Sequence, residues 1–154
     1  MTCSYRPTLL LTALLLLLGQ ISAFSSLLQQ QKFMRSYVCV MTQPNTEYTS
    51  PTNPSFLDHN SYVSSSYVRF IEQTGAVAVI VPWDLPWAEM TAVLGQCNGL
   101  LLPGGAASLL NRNTPTTYMI RIGRIITWAA QQNLSGRFFS IWAECLGFEE
   151  LFLA

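Results

Sequence analysis

Beyond residue 35 the chain alternates short, unbroken apolar runs with stretches in which apolar residues recur every three or four positions, and the two periods predict different elements. The run Ser36 to Thr42, rich in β-branched and aromatic residues, predicts a buried strand. Gln43 to Asn60 follows with three prolines and many Asn, Ser and Thr residues, which predicts a long surface loop. Tyr62, Val63, Ser66, Tyr67, Phe70 and Ile71 then form a stripe at helical spacing, stopped by Gly75. Ala76 to Val81 is a continuous aliphatic run closed by Pro82, the pattern of a strand covered on both faces. The alternation continues with a short helix around Trp87 to Leu94, a strand Gly99 to Leu102 and the turn Pro103-Gly104-Gly105. A helix from about Tyr118 to Gln132, a break at Gly136 and a strand Phe138 to Trp142 complete it.

Four strands alternating with helices predict an α/β fold: a doubly wound, mostly parallel sheet with flanking helices. In such sheets ligands gather at the carboxyl ends of the strands. The loop after the first strand, the Pro-Gly-Gly turn after the third and Cys145 after the fourth should therefore open on one edge. Cys145 stands directly between the last strand and a helical beginning, the arrangement of a nucleophile elbow. There the backbone N–H groups of Leu146 and Gly147 would face an anion, and the positive end of the helix dipole would favour the thiolate. Two glycines at 104 and 105 let backbone N–H groups approach a ligand, either as half of an oxyanion hole or as a tight turn and nothing more.

Composition narrows the function classes. Eight basic residues balance eight acidic ones and only 10% of the chain is charged, so no field recruits nucleic acid. Arg6, the apolar block Leu9 to Leu18 and the small residue Ala23 predict a secretory signal peptide over residues 1–23. The block is about ten residues against the roughly 20 that span a bilayer, so no stable membrane anchor is expected after cleavage. Residues 24–35 read as a polar lead and 36–154 as the folded domain. Cys3 leaves with the leader, and Cys39 and Cys97 read as small core residues, with Cys145 as the reactive thiol. Asn133-Leu134-Ser135 is a glycosylation sequon. Neither metal-ligand spacing nor a nucleotide fingerprint is present, so no metal or cofactor is expected. Trp83 and Trp87, flanked by prolines after the second strand, are candidate substrate contacts, whereas Trp128 and Trp142 read as core. His59, the single histidine, lies in the polar loop on the expected site edge and is the candidate general base.

Four segments carry a family likeness: Tyr62-Val63-Ser64-Ser65-Ser66-Tyr67-Val68-Arg69-Phe70-Ile71-Glu72, Gly75-Ala76, Asn98-Gly99-Leu100-Leu101-Leu102-Pro103-Gly104-Gly105, and Trp142-Ala143-Glu144-Cys145-Leu146-Gly147-Phe148-Glu149-Glu150-Leu151. Together they resemble the gamma-glutamyl hydrolases, within the class I glutamine amidotransferase-like group of flavodoxin-like sheets. The likeness runs from about Tyr37 to the end, roughly the amino-terminal half of the family domain. Phe148-Glu149 points to the hydrolase branch, since amidotransferases proper usually have His-Gln there.

The resemblance implies a secreted, lysosomal or vacuolar cysteine peptidase that shortens the tails of folyl and antifolyl poly-gamma-glutamates. Cys145 would be the nucleophile, with Leu146 and the Gly104-Gly105 turn stabilising the oxyanion and Glu149 ordering the site. Ala143 replaces the glycine usual in the family two residues before the nucleophile, and the family's catalytic histidine comes well after the cysteine. A sheet truncated after the elbow would have little turnover and would expose Phe148, Leu151, Phe152 and Leu153. A non-catalytic remnant that binds glutamyl tails, or pairs with a full-length copy, through the same edge is the rival reading, and a homodimer is a candidate assembly.

Overall fold

The computed structural model describes Gln20, residues 35–45 and residues 60–154. The expected signal peptide apart from Gln20, the polar lead up to residue 34, and residues 46–59 with His59 lie outside the described residues.

In the unit Ser36–Ala154, β1 (Tyr37–Met41), β4 (Val77–Val81), β5 (Gly99–Leu102) and β8 (Ser140–Ala143) form one sheet in the order β4-β1-β5-β8. All three pairings are parallel. The helices are α1 (Ser65–Gln73), α2 (Trp87–Leu94), α3 (Thr117–Leu134) and α4 (Leu146–Leu153). Each element of the predicted alternation is present, and the fold is a doubly wound α/β sheet of the class I glutamine amidotransferase-like type.

The period of two along β1 sorts its side chains between two cores. Cys39 and Met41 join Leu100, Leu102, Met90, Leu94, Ile122 and Ile125 beneath α2 and α3. Val40 joins Leu101 and Ile71 beneath α1 on the other face. Helix ends follow local chemistry: the Ser64 hydroxyl accepts from the Ser66 N–H, and Gly75 takes a φ of +86° just past α1. At α3 the Thr116 hydroxyl accepts from the Met119 N–H at 3.2 Å.

Three readings need correction. β4 is covered on both faces only in part: Val79 and Val81 pack into one core and Ala78 against the other, but it is a sheet edge, where Val81 alone is buried and Ile80 is 42% exposed. Trp142 is not a core residue, because β8 forms the opposite edge and leaves its ring in solvent, whereas Trp128 packs edge-on against Phe139 at 5.1 Å. Cys39 and Cys97 are buried as expected but form a disulfide, with Cα atoms 5.9 Å apart. The cause is sheet order. β5 lies beside β1, and the Asn98 N–H donates to the Tyr37 carbonyl at 2.8 Å, so Cys97 arrives next to Cys39 across 58 residues of sequence.

Two short pairings go beyond the predicted elements. β2 (Gln43–Pro44) pairs antiparallel with β3 (Ser61–Tyr62), and the Asn45 N–H donates to the Asn60 carbonyl at 3.1 Å, closing the base of the polar loop. β6 (Leu110–Asn111) and β7 (Thr114–Pro115) form a hairpin ahead of α3. Phe148, Leu151, Phe152 and Leu153 are exposed on α4.

Candidate active site

Cys145 caps α4 with φ 54° and ψ −117°, a backbone conformation that costs a non-glycine residue roughly 1–3 kcal/mol. The turn is held from both sides. The Glu144 N–H donates to the Leu102 carbonyl at 3.1 Å, tying the elbow to β5, and the Phe148 N–H donates to the Cys145 carbonyl at 3.0 Å. Gly147 is required by close approach: a Cβ there would overlap the Leu102 carbonyl oxygen. The thiol is exposed, and Cys145 is the free cysteine among the described residues.

The Gly104-Gly105 turn faces this thiol. A Cβ on Gly104 would lie 2.9 Å from the Cys145 Cβ and 3.5 Å from its Sγ, so only glycine leaves the approach open. Of the N–H groups expected to face an anion, two are engaged: Gly147 donates to the Glu144 carbonyl at 2.9 Å, and Gly104 donates to the Tyr67 hydroxyl at 2.9 Å. Leu146, at the first position of α4, has no intrahelical acceptor by helix geometry.

The turn is braced by residues the sequence reading passed over. The Gln43 amide donates to the Pro103 carbonyl at 2.9 Å, and its side chain occupies the space a Cβ on Gly105 would need. The Tyr62 hydroxyl donates to the Gln43 side-chain oxygen, Oε1, at 3.2 Å and accepts from the Ala106 N–H at 3.1 Å. Tyr67 belongs to the stripe read as packing, yet its hydroxyl meets the same Gly104 that meets Cys145. Gln43 carried a visible signal, being a polar residue at the carboxyl end of an apolar strand, where the topology rule puts ligands.

The acidic pair on α4 divides. Glu149 is exposed in the first turn. Glu150, which the sequence offered no reason to separate from it, is fully buried and accepts a hydrogen bond from the Tyr118 hydroxyl at 2.8 Å. Its second carboxyl oxygen is buried with no partner among the described residues. Burial pushes the Glu150 carboxyl up to about 7, against the Tyr118 hydrogen bond, which lowers it. Burial, and then the facing carboxylate, raises the Tyr118 phenol. A carboxyl raised above its unfolded value of 4.5 gives stability that is full below that pH and is lost as pH rises through about 7. Glu150→Gln should therefore flatten the stability profile between those limits, and at pH 8 should stabilise the fold by roughly 1–3 kcal/mol. Urea titrations of both proteins at pH 4.5, 6 and 8 measure this.

The two candidate tryptophans also separate. The Trp83 backbone N–H donates to the Thr42 hydroxyl at 3.0 Å, and its ring meets Tyr118 edge-on at 5.8 Å, on the carboxyl edge of the sheet, with the indole N–H buried and without a partner among the described residues. Trp87 instead packs against α3, with the Arg124 guanidinium 4.3 Å from its ring centre. Among the described residues no three His, Cys, Asp or Glu side chains converge as a metal site would need, and no helix is long and apolar enough to cross a membrane.

The sequence profile described as Peptidase C26 matches residues 40–154, which include the last two residues of β1, the other three strands of the sheet, the Gly104-Gly105 turn and the elbow. The chain belongs to the peptidase C26 family. Relatives within it agree. The chain is 41% identical over 93 residues to gamma-glutamyl hydrolase of Mus musculus, covering 60% of this chain and 28% of that one. It is 31% identical over 112 residues to gamma-glutamyl hydrolase B of Dictyostelium discoideum, covering 73% and 30%. It is 33% identical over 93 residues to gamma-glutamyl hydrolase of Homo sapiens, covering 60% and 28%. The chain thus spans less than a third of the length of these peptidase C26 relatives.

Proposed function

We propose that the chain carries the nucleophile half of a gamma-glutamyl peptidase site. The observation that carries this reading is the exposed Cys145 thiol at the start of α4, facing a glycine turn with no side chain in the way. In the reaction, the Cys145 sulfur attacks the carbonyl carbon of a gamma-glutamyl amide. The oxyanion so formed is stabilised by the Leu146 N–H and by the Gly104-Gly105 turn, where Tyr67 yields or shares the Gly104 N–H. The C–N bond breaks as the leaving nitrogen takes a proton. Water then opens the thioester, releasing the gamma-carboxylate and restoring the thiol.

The named relatives support a gamma-glutamyl substrate, and the family resemblance narrows it to folyl or antifolyl polyglutamates. A protein whose buried Glu150 favours acidic pH suits a lysosomal or vacuolar site of action. Proton delivery is the weak point of the set: His59 is the single imidazole in the sequence, and general acid help to the leaving nitrogen is typically worth about 10²- to 10⁴-fold. That proton is needed as the thioester forms, so acylation should limit the rate of turnover.

The deciding experiment incubates the purified chain and its Cys145→Ser variant with a pteroyl poly-gamma-glutamate. It measures released glutamate by chromatography and a gamma-glutamyl thioester on the Cys145 peptide by mass spectrometry after acid quench. Thioester or glutamate formed by the parent and absent from the variant supports the reading. Equal release by both, or neither product from the parent, overturns it; binding of the tail without either product identifies a non-catalytic glutamyl-binding protein.

A further inference from the structure

Resting on the reading above, we propose that the cavity between the β6–β7 hairpin and the start of α3 is a subsite for the free α-carboxylates of a gamma-linked glutamate tail, with Arg112 as the residue that binds them. A gamma linkage consumes the side-chain carboxyl of each glutamate and leaves its α-carboxylate ionised, so a tail beyond the reacting bond is a regular polyanion. A site that grips such a tail needs a cation able to take a carboxylate through two parallel N–H donors, which is the geometry of guanidinium.

The cavity has a volume of about 480 Å³, and its walls include Pro44, Trp83, Ser108, Arg112, Thr117 and Tyr118. Among its described lining residues Arg112 is the one charged side chain, and none is a carboxylate. Three other arginines have structural work. Arg121 donates to the Leu85 carbonyl at 2.8 Å, Arg124 lies over Trp87, and Arg137 donates to the Gly95 carbonyl. Two hydroxyls in the wall are likewise committed, Ser108 to the Leu110 carbonyl at 3.1 Å and Thr116 to the Ser108 carbonyl at 2.9 Å, so they fix the shape of the cavity while Arg112 supplies its charge. Thr117 and Tyr118, whose backbone N–H groups begin the 18-residue α3, lie in the same wall and add the positive end of its dipole.

The hairpin that presents Arg112 gives up local stability to do so. Arg112 has φ 46° and Asn113 φ 70°, the pair of positive values of a two-residue turn in which glycine and asparagine are the favoured occupants. The cavity is connected to the reactive parts through residues that brace them. Pro44 follows Gln43, which braces the Gly104-Gly105 turn, and Tyr118 holds Glu150 on the helix that Cys145 begins. On this proposal a tail whose first amide lies at the thiol would extend its next carboxylates toward Arg112.

The test titrates the full chain carrying Cys145→Ser, which leaves the bound amide intact, with free gamma-linked glutamate oligomers of one, two and four residues, by calorimetry. The titrations are repeated after adding Arg112→Gly or Arg112→Lys. Glycine suits a φ of 46°, so Arg112→Gly should melt no lower than its parent, which separates loss of charge from loss of fold. The expected result is affinity that rises with oligomer length, a loss of at least tenfold for the four-residue oligomer with Arg112→Gly, a smaller loss with Arg112→Lys, and weakening by salt. Equal affinity of the Arg112→Gly protein and its parent for the four-residue oligomer would overturn the proposal, as would affinity independent of length. The reading under Proposed function fails separately, by absence of a Cys145 thioester in the unsubstituted chain.

Discussion

Gly147→Ala is expected to destabilise the fold by about 3 kcal/mol or more and, in the same protein, to slow alkylation of Cys145. The added methyl would overlap the Leu102 carbonyl oxygen and stand 2.9 Å from the Leu102 Cβ. Neither neighbour can swing aside. Leu102 ends a central strand, its carbonyl already accepts the Glu144 N–H, and it is fully buried. The strain can be relieved only by lifting α4 off β5, and α4 begins at the reactive residue. Urea unfolding measures the first effect, and the rate of iodoacetamide labelling of the Cys145 peptide measures the second. Gly123→Ala is the matched control: nothing lies within 4 Å of its added methyl, and it sits inside α3, so it should stabilise the protein by up to about 1 kcal/mol. A Gly147→Ala protein as stable and as reactive as its parent would refute the packing account of the elbow.

Removal of the Cys39–Cys97 bond should have an effect of similar size by another route. The bond closes a loop of 58 residues, and chain-entropy arguments give such a cross-link about 4 kcal/mol, acting chiefly on the unfolded state. Both cysteines are buried, so double replacement by alanine adds a small packing loss. The midpoint of thermal unfolding should fall by roughly 15 °C in the double alanine protein, and strong reductant should lower the parent to nearly the same value. Cys145→Ser should leave the midpoint where it is, because its side chain is exposed and unpaired. Peptide mapping without reduction provides a direct check, since a Cys39–Cys97 linked pair must be recovered.

What the sequence made legible followed from local rules. Unbroken aliphatic runs marked β4 and β5, helical spacing marked α1 and α3, and Gly75 stopped α1 through its positive φ. The position of Cys145 between strand and helix was legible for the same reason, since a turn at that point depends on a few neighbouring residues. What escaped depends on which strands are neighbours. Nothing local to Cys39 or Cys97 says that β5 lies beside β1, and nothing local to Val77–Val81 or Trp142 says that their strands lie at the two edges. Gln43, Tyr62 and Tyr67 converge on Gly104 and Gly105 from residues 37 to 62 positions away, and Glu150 is distinguished from Glu149 only by the helix packed over it. The two-residue pairings β2–β3 and β6–β7 are too short for any alternation of side chains to announce them.

The twisted backbone at residue 145 implies an inverted ranking between durability and chemistry. Glycine would adopt that geometry freely, so a Cys145→Gly protein should outlast its parent on heating while losing every reaction of the sulfur. Screens that select this chain for heat resistance alone would then tend to erase its reactive residue.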